Sequence, residues 1–162
     1  MDLETLSAQV GECLRQRGLM LAAAESCTGG WLAQAVTAIP GSSHWFDRGF
    51  VTYSNAAKVE LLGVHPATLE QHGAVSEATV REMVEGALAR SHAQVAVAVS
   101  GIAGPGGGSL EKPVGTVCLA WAGSGMETRT QTLLFMGNRE AVRRQAVAAV
   151  LQGLLDRFRD QP

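Results

Sequence analysis

The sequence is short of lysine, of aromatic residues and of long apolar runs. Only Lys58 and Lys112 are lysines among 13 basic residues, aromatic side chains make up 5% of the chain, and the formal net charge is −2. With no basic run and few rings, the chain lacks the electrostatic footprint of a nucleic-acid or membrane-surface protein. No stretch reaches the length of a membrane span, and the N-terminus opens on a polar amphipathic segment, not on a charged region followed by an apolar one. A cytoplasmic protein is the expectation. Cys13, Cys27 and Cys118 are odd in number and lack metal-ligand spacing, and His44, His65, His72 and His92 are scattered. That argues against a disulfide framework and against a bound metal. Repeats and linkers are absent as well.

What is present is a compact composition, 46% apolar and 17% charged over 162 residues, which fits one domain spanning residues 1–162. Leu3, Leu6, Val10 and Leu14 recur at helical spacing with Gly18 as a C-cap. Leu19 to Ala24 reads as a short buried strand, and Gly30 to about Ile39 as a helix stopped by Pro40-Gly41. Trp45 to Tyr53 is a strand, and Ser54-Asn55 turns it into a helix carrying Lys58. A short helix over 65–72 follows, then an N-capped one from Ser76 to near Ser91. Val95 to Val99 is uniformly apolar, as a strand covered on both faces requires. Val114 to Trp121 and Glu127 to Phe135 form a hairpin around Gly123-Ser-Gly125, and Asn138 caps a long final helix. The pattern predicts an α/β fold, a three-layer α/β/α sandwich with a mixed, mostly parallel sheet of about five strands.

Three segments fall at strand ends, where ligands bind in open α/β sheets: Ser26 to Gly30, Tyr53 to Lys58, and Ser100 to Gly108. In the first, Gly29 and Gly30 permit a sharp turn, the following helix offers N–H groups to an anion, and Ser26 and Cys27 are candidate nucleophiles. Ser26 and Thr28 are equally ordinary helix caps. In the second, the only tyrosine precedes one of two lysines. Lys58 is either a solvated helix residue or a buried amine that deprotonates a serine. The glycine-rich third segment matches no Walker or Rossmann spacing, and is either a flexible connection or a phosphate and ribose cradle. Arg139 sits in a helix first turn, which disfavours a cation; a ligand phosphate or a neighbouring carboxylate accounts for it.

Together these segments resemble the C-terminal domain of the competence-damage protein CinA and its free-standing relatives, the nicotinamide-nucleotide amidases. The resemblance rests on the run from Ala24 to Gly30, Gly41-Ser-Ser43, the run from Phe50 to Asn55 with Lys58, Gly73 to Ser76, Ser100 to Gly106, Lys112 to Val117, and Arg139 to Arg144. It implies hydrolysis of the carboxamide of nicotinamide mononucleotide to nicotinate mononucleotide and ammonia, with no cofactor or metal, by a homodimer. It also implies Ser26 as nucleophile, Lys58 as general base and Tyr53 as its helper. Cys27, Thr28, Gly29 and Gly30 then surround the oxyanion; to this we add our own inference that the Ser100 to Gly108 loop, with Ser100, Gly101 and Gly104, and Arg139 hold ribose and phosphate. Two other readings stay open: a nucleotide-binding module without turnover, and a thiol hydrolase in which the helix N-terminus lowers the pKa of Cys27.

Overall fold

The computed structural model describes residues 2–160. Its elements run α1 (Leu3–Arg17), β1 (Leu21–Glu25), α2 (Trp31–Thr37), β2 (Phe46–Val51), α3 (Asn55–Leu62), α4 (Pro66–His72), α5 (Glu77–Ala89), β3 (Val95–Gly101), β4 (Thr116–Gly123), β5 (Met126–Leu134) and α6 (Arg139–Arg159). A single 3-10 turn, Ser42–His44, precedes β2. The sheet order is β2-β1-β3-β4-β5. β1 pairs in parallel with β2 and β3, whereas β4 is antiparallel to both of its neighbours, so four strands point one way. The predicted mixed sheet between helix layers is present. Element ends differ from the sequence reading by one to three residues, as helix and strand termini commonly do.

Side-chain alternation divides the sheet into two unlike faces. One face carries Leu21, Val95, Val97, Val99, Leu119 and Trp121, and α1, α2 and α6 pack on it through Leu14, Leu32, Val147 and Leu151. The other carries Ala22, Ala24, Ala96, Ala98, Ala120 and Ala122, and receives α5 through Val80, Met83, Val84 and Ala87. Small side chains let α5 settle low on the sheet. The helix layer above is tight too: a methyl at Gly86 of α5 would collide with the carbonyl oxygen of Leu62, the last residue of α3. Edge strand β5 alternates between half-buried and exposed positions: Glu127, Arg129 and Gln131 point outward, while Thr128, Thr130 and Thr132 turn towards α5 and donate to Glu85 and Glu77; charged residues on an edge strand discourage edge-to-edge pairing.

Parallel β1, β2 and β3 bring their C-terminal ends to one edge of the sheet, where Ser26, Thr52 and Ser100 emerge side by side. The Ser26 N–H donates to the Val99 carbonyl at 3.0 Å and the Thr52 N–H to the Glu25 carbonyl at 2.7 Å. These ladder bonds fix the three segments relative to one another. No helix among the described residues is long and apolar enough to cross a membrane.

Candidate active site

The chain leaves β1 at Glu25, whose side chain is fully buried. Its carboxylate turns into the start of α2. Oε1 accepts from the Thr28 hydroxyl at 2.6 Å and from the N–H groups of Gly30 and Leu32 at 3.2 and 2.9 Å. Oε2 accepts from the Ala33 N–H at 3.0 Å. A carboxylate at the positive end of a helix is favourable both as hydrogen-bond acceptor and by dipole. The N-cap is Gly30, at φ 103, a left-handed conformation costly to any side chain. The structure therefore corrects one expectation: the N–H groups opening α2 are not free for an oxyanion, because Glu25 already occupies them. Between Glu25 and Gly30 the Gly29 N–H closes a turn onto the Ser26 carbonyl at 3.1 Å. Among the described residues the N–H groups of Cys27 and Thr28 meet no acceptor.

Lys58 approaches this turn from α3. The helix starts at the cap Ser54, whose Oγ accepts from the Ala57 N–H at 3.0 Å. Side chains on a helix lean towards its N-terminus, so Lys58 reaches back over the ends of β2 and β1. It is 1% exposed. Its Nζ lies 2.9 Å from Ser26 Oγ and donates to the carbonyls of Thr52 at 2.8 Å and Tyr53 at 3.4 Å. No carboxylate pairs with it among the described residues. Loss of hydration on burial pulls its pKa below the usual lysine value, opposed only by the neighbouring Cys27. Cys27 is shifted against the direction a thiol enzyme requires: burial pushes its thiol up to about 11, outweighing the nearby Arg143.

A cavity of about 300 Å³ opens in front of the Ser26–Lys58 pair. Ser26, Cys27, Tyr53 and Lys58 line one side; Ser100, Gly101, Ile102, Ala103, Gly104, Gly106 and Gly107 line the other. Ala74 and Val75, just before α5, and Arg139, from α6, complete it. Gly101 leaves no room for a side chain, since a Cβ there would stand 2.7 Å from Val117 Cγ2 and 3.2 Å from Cys27 Sγ. The N–H groups of Ala103, Gly104, Gly106 and Gly107 meet no acceptor among the described residues. Arg139 donates to the Gly104 carbonyl at 2.8 Å and to the Tyr53 hydroxyl at 3.2 Å. Its partners are thus the loop and the tyrosine, and no carboxylate.

Of the residues singled out in the sequence, Ser26, Cys27, Tyr53, Lys58, Ser100, Gly101, Gly104 and Arg139 share this cavity. Thr28, Gly29 and Gly30 do not line it; they build the turn behind it. Tyr53 meets Lys58 through its backbone carbonyl, while its phenol faces Arg139. Glu25, Ala74 and Val75 escaped the sequence reading as site residues; Arg143 falls within the Arg139 to Arg144 run that carries the resemblance and shares the face of Arg139, but its hold on the turn carbonyls was not legible. Glu25 did carry a signal: it is the one charged residue in a wholly buried strand, Leu21–Glu25. No group of three or more His, Cys, Asp and Glu side chains placed to hold a metal ion occurs among the described residues.

The family described as the CinA C-terminal domain matches residues 3–158. Nicotinamide-nucleotide amidohydrolase PncC of Escherichia coli K12 is 57% identical over 157 residues, which cover 97% of this chain and 95% of the relative. The Pseudomonas putida protein of the same name is 55% identical, over 94% and 95%. The crystal structure of the competence damage-inducible protein A (ComA) from Klebsiella pneumoniae superposes with a TM-score of 0.96 at 42% identity, over 100% of both chains. The chain belongs to the CinA C-terminal domain family.

Proposed function

We propose that this protein hydrolyses the carboxamide of nicotinamide mononucleotide to nicotinate mononucleotide and ammonia, with Ser26 as nucleophile and Lys58 as general base. The observation that carries the mechanism is the bonding of Lys58 Nζ. A neutral amine has two N–H groups and one lone pair. The carbonyls of Thr52 and Tyr53 take the two N–H groups, which leaves the lone pair facing Ser26 Oγ at 2.9 Å. Desolvation pulls the Lys58 pKa below the usual lysine value and so shifts the balance towards that neutral form. The substrate class rests on the relatives, whose name specifies a nicotinamide nucleotide.

Ser26 Oγ attacks the carboxamide carbon while its proton passes to Lys58 Nζ. The negative charge gathers on the amide oxygen, beside the free Cys27 N–H; one such donor is worth about 3 kcal/mol in a transition state. Lys58 then returns the proton to the amide nitrogen, the C–N bond breaks, and ammonia leaves. In the second half a water molecule attacks the Ser26 ester and gives its proton to Lys58. Collapse of that intermediate releases the carboxylic acid and restores the Ser26 hydroxyl, so that one water is consumed per ammonia formed. The apolar side chains of Val75, Ile102 and Ala103 suit the pyridine ring. Arg139 and the N–H groups of Ala103, Gly104, Gly106 and Gly107, which meet no acceptor among the described residues, suit ribose and phosphate.

Ammonia release from nicotinamide mononucleotide by the purified protein tests the reading, with Ser26→Ala and Lys58→Ala variants checked for intact folding. The expected result is turnover by the parent and a loss of about 10³-fold or more in both variants, the scale for removing a nucleophile or its base. A parent that binds the nucleotide without releasing ammonia would overturn it in favour of a binding module.

A further inference from the structure

Arg143 stands outside the cavity, on α6 one turn beyond Arg139, yet its guanidinium grips the nucleophile turn. Nε donates to the Cys27 carbonyl at 3.0 Å and a terminal nitrogen donates to the Thr28 carbonyl at 3.1 Å. No carboxylate pairs with it among the described residues. Its guanidinium carbon lies 5.3 Å from the centre of the Trp31 ring, a cation–π distance. Gly29 passes close beneath, with a built Cβ 3.6 Å from the arginine nitrogen.

Glu25 and Arg143 therefore hold successive peptide groups of one turn, the guanidinium those near Ser26 and the carboxylate those that lead into α2. The carboxylate collects N–H groups at residues 30, 32 and 33, and the guanidinium collects the carbonyls of 27 and 28. In a planar trans peptide the C=O and the following N–H point opposite ways. The Cys27 carbonyl held by Arg143 fixes the Thr28 N–H; the Thr28 carbonyl, which also accepts from the Trp31 N–H, fixes the Gly29 N–H, which in turn holds the Ser26 carbonyl and so fixes the Cys27 N–H. Among the described residues the Cys27 and Thr28 N–H groups meet no acceptor. We infer that Arg143 is a positioning residue: it presets the peptide planes that offer the oxyanion its backbone donor, and its charge adds to the positive potential there. The inference rests on the Ser26 mechanism proposed above.

Arg144 supplies an internal control. Its guanidinium carbon is 5.2 Å from the same Trp31 ring, but it makes no hydrogen bond to the turn. Arg143→Gln is expected to lower kcat for nicotinamide mononucleotide about 10- to 100-fold, the scale for losing a supporting partner, with KM unchanged. Arg143→Lys keeps the charge without the two-pronged grip and falls between. Arg144→Gln behaves as the parent. A second readout separates positioning from loss of fold. Pyridine-3-boronic acid forms a tetrahedral, negatively charged adduct with a reactive serine, and Arg143→Gln should weaken it about tenfold or more while nicotinate mononucleotide binds as it does to the parent. Equal weakening of both ligands, an Arg144→Gln defect as large as that of Arg143→Gln, or an unchanged kcat in Arg143→Gln overturns the inference. A parent inactive on nicotinamide mononucleotide fails the substrate reading instead, and the boronate comparison still decides the role of Arg143.

Discussion

Behind one wall of the cavity, in the turn from Glu25 to Ala33, the polar groups are committed to one another: carboxylate to helix start, guanidinium to turn carbonyls, turn N–H to Ser26 carbonyl. Along the other, the N–H groups of the lining residues Ala103, Gly104, Gly106 and Gly107 meet no acceptor among the described residues, and Arg139 rests on a carbonyl and a phenol. The first wall is stiff and buried, the second open and polar. Electrostatic catalysis needs donors preset where charge will develop. Binding a flexible, phosphorylated ligand needs unpaired donors that exchange water for ligand at little cost. The division predicts that changes to the first wall act on kcat and changes to the second on KM.

The largest effect is expected from Lys58→Met, which keeps the volume and removes the base. Activity should fall about 10²- to 10⁴-fold, and the variant should also lose a pH dependence of stability. The folded-state pKa of Lys58 lies below its ordinary value of 10.5. Between those two pKa values the unfolded chain holds a proton that the folded chain does not, so the parent gains stability as pH rises towards 10.5, whereas below the folded value the full cost of burying a charge applies. Urea midpoints measured from neutral to alkaline pH should show the parent rising relative to Lys58→Met; parallel curves would mean that Lys58 titrates as an exposed lysine. The same titration places the acidic limb of the rate profile below the ordinary lysine range.

A smaller effect should follow from Arg139→Ala. Loss of charge-assisted hydrogen bonds to a phosphate, about 1.5–3 kcal/mol, raises KM about 10- to 100-fold with kcat within about threefold. For the unphosphorylated riboside the variant and parent should bind alike. Steady-state kinetics on both ligands checks this, and a fall confined to kcat would break the division between the walls. The smallest effect is reserved for Cys27→Ala. With its thiol pushed up to about 11, only about one molecule in 10⁴ is ionised near neutral pH. Iodoacetamide should leave the parent active there, and the variant should keep kcat/KM within about fivefold; a dead variant would restore the thiol mechanism.

Much of this architecture is legible from the sequence, for identifiable reasons. The apolar run of β3 and the apolar stripe of α6 announce burial by pattern alone, and Ser54, Ser76 and Asn138 cap their helices through side chains, as cap residues do. Lys58 stands out because lysine is scarce and because a helix starting at Ser54 must aim it backwards. Contacts between residues far apart in the chain leave no such mark. Nothing near Arg143 in sequence shows that it holds carbonyls at Cys27 and Thr28, and nothing near Tyr53 shows that its ring faces Arg139 while only its backbone meets Lys58. Local pattern reads what a residue does to its own helix or strand. It is blind to the direction of a peptide plane.

The bed of alanines beneath α5 and the bare Gly86 above it have a bearing on how this protein tolerates change. α3 carries Lys58 and ends at Leu62, whose carbonyl lies where a methyl on Gly86 would go. Enlarging Gly86, or Ala96 and Ala98 below, is the kind of space-filling substitution by which core designs are commonly stabilised. Here it would lift or tilt the short helix that holds Nζ 2.9 Å from Ser26 Oγ. A screen that selects such variants for heat resistance alone should therefore enrich well-folded proteins with a misaligned base, and the alanine face of the sheet becomes the place where robustness and turnover are traded against each other.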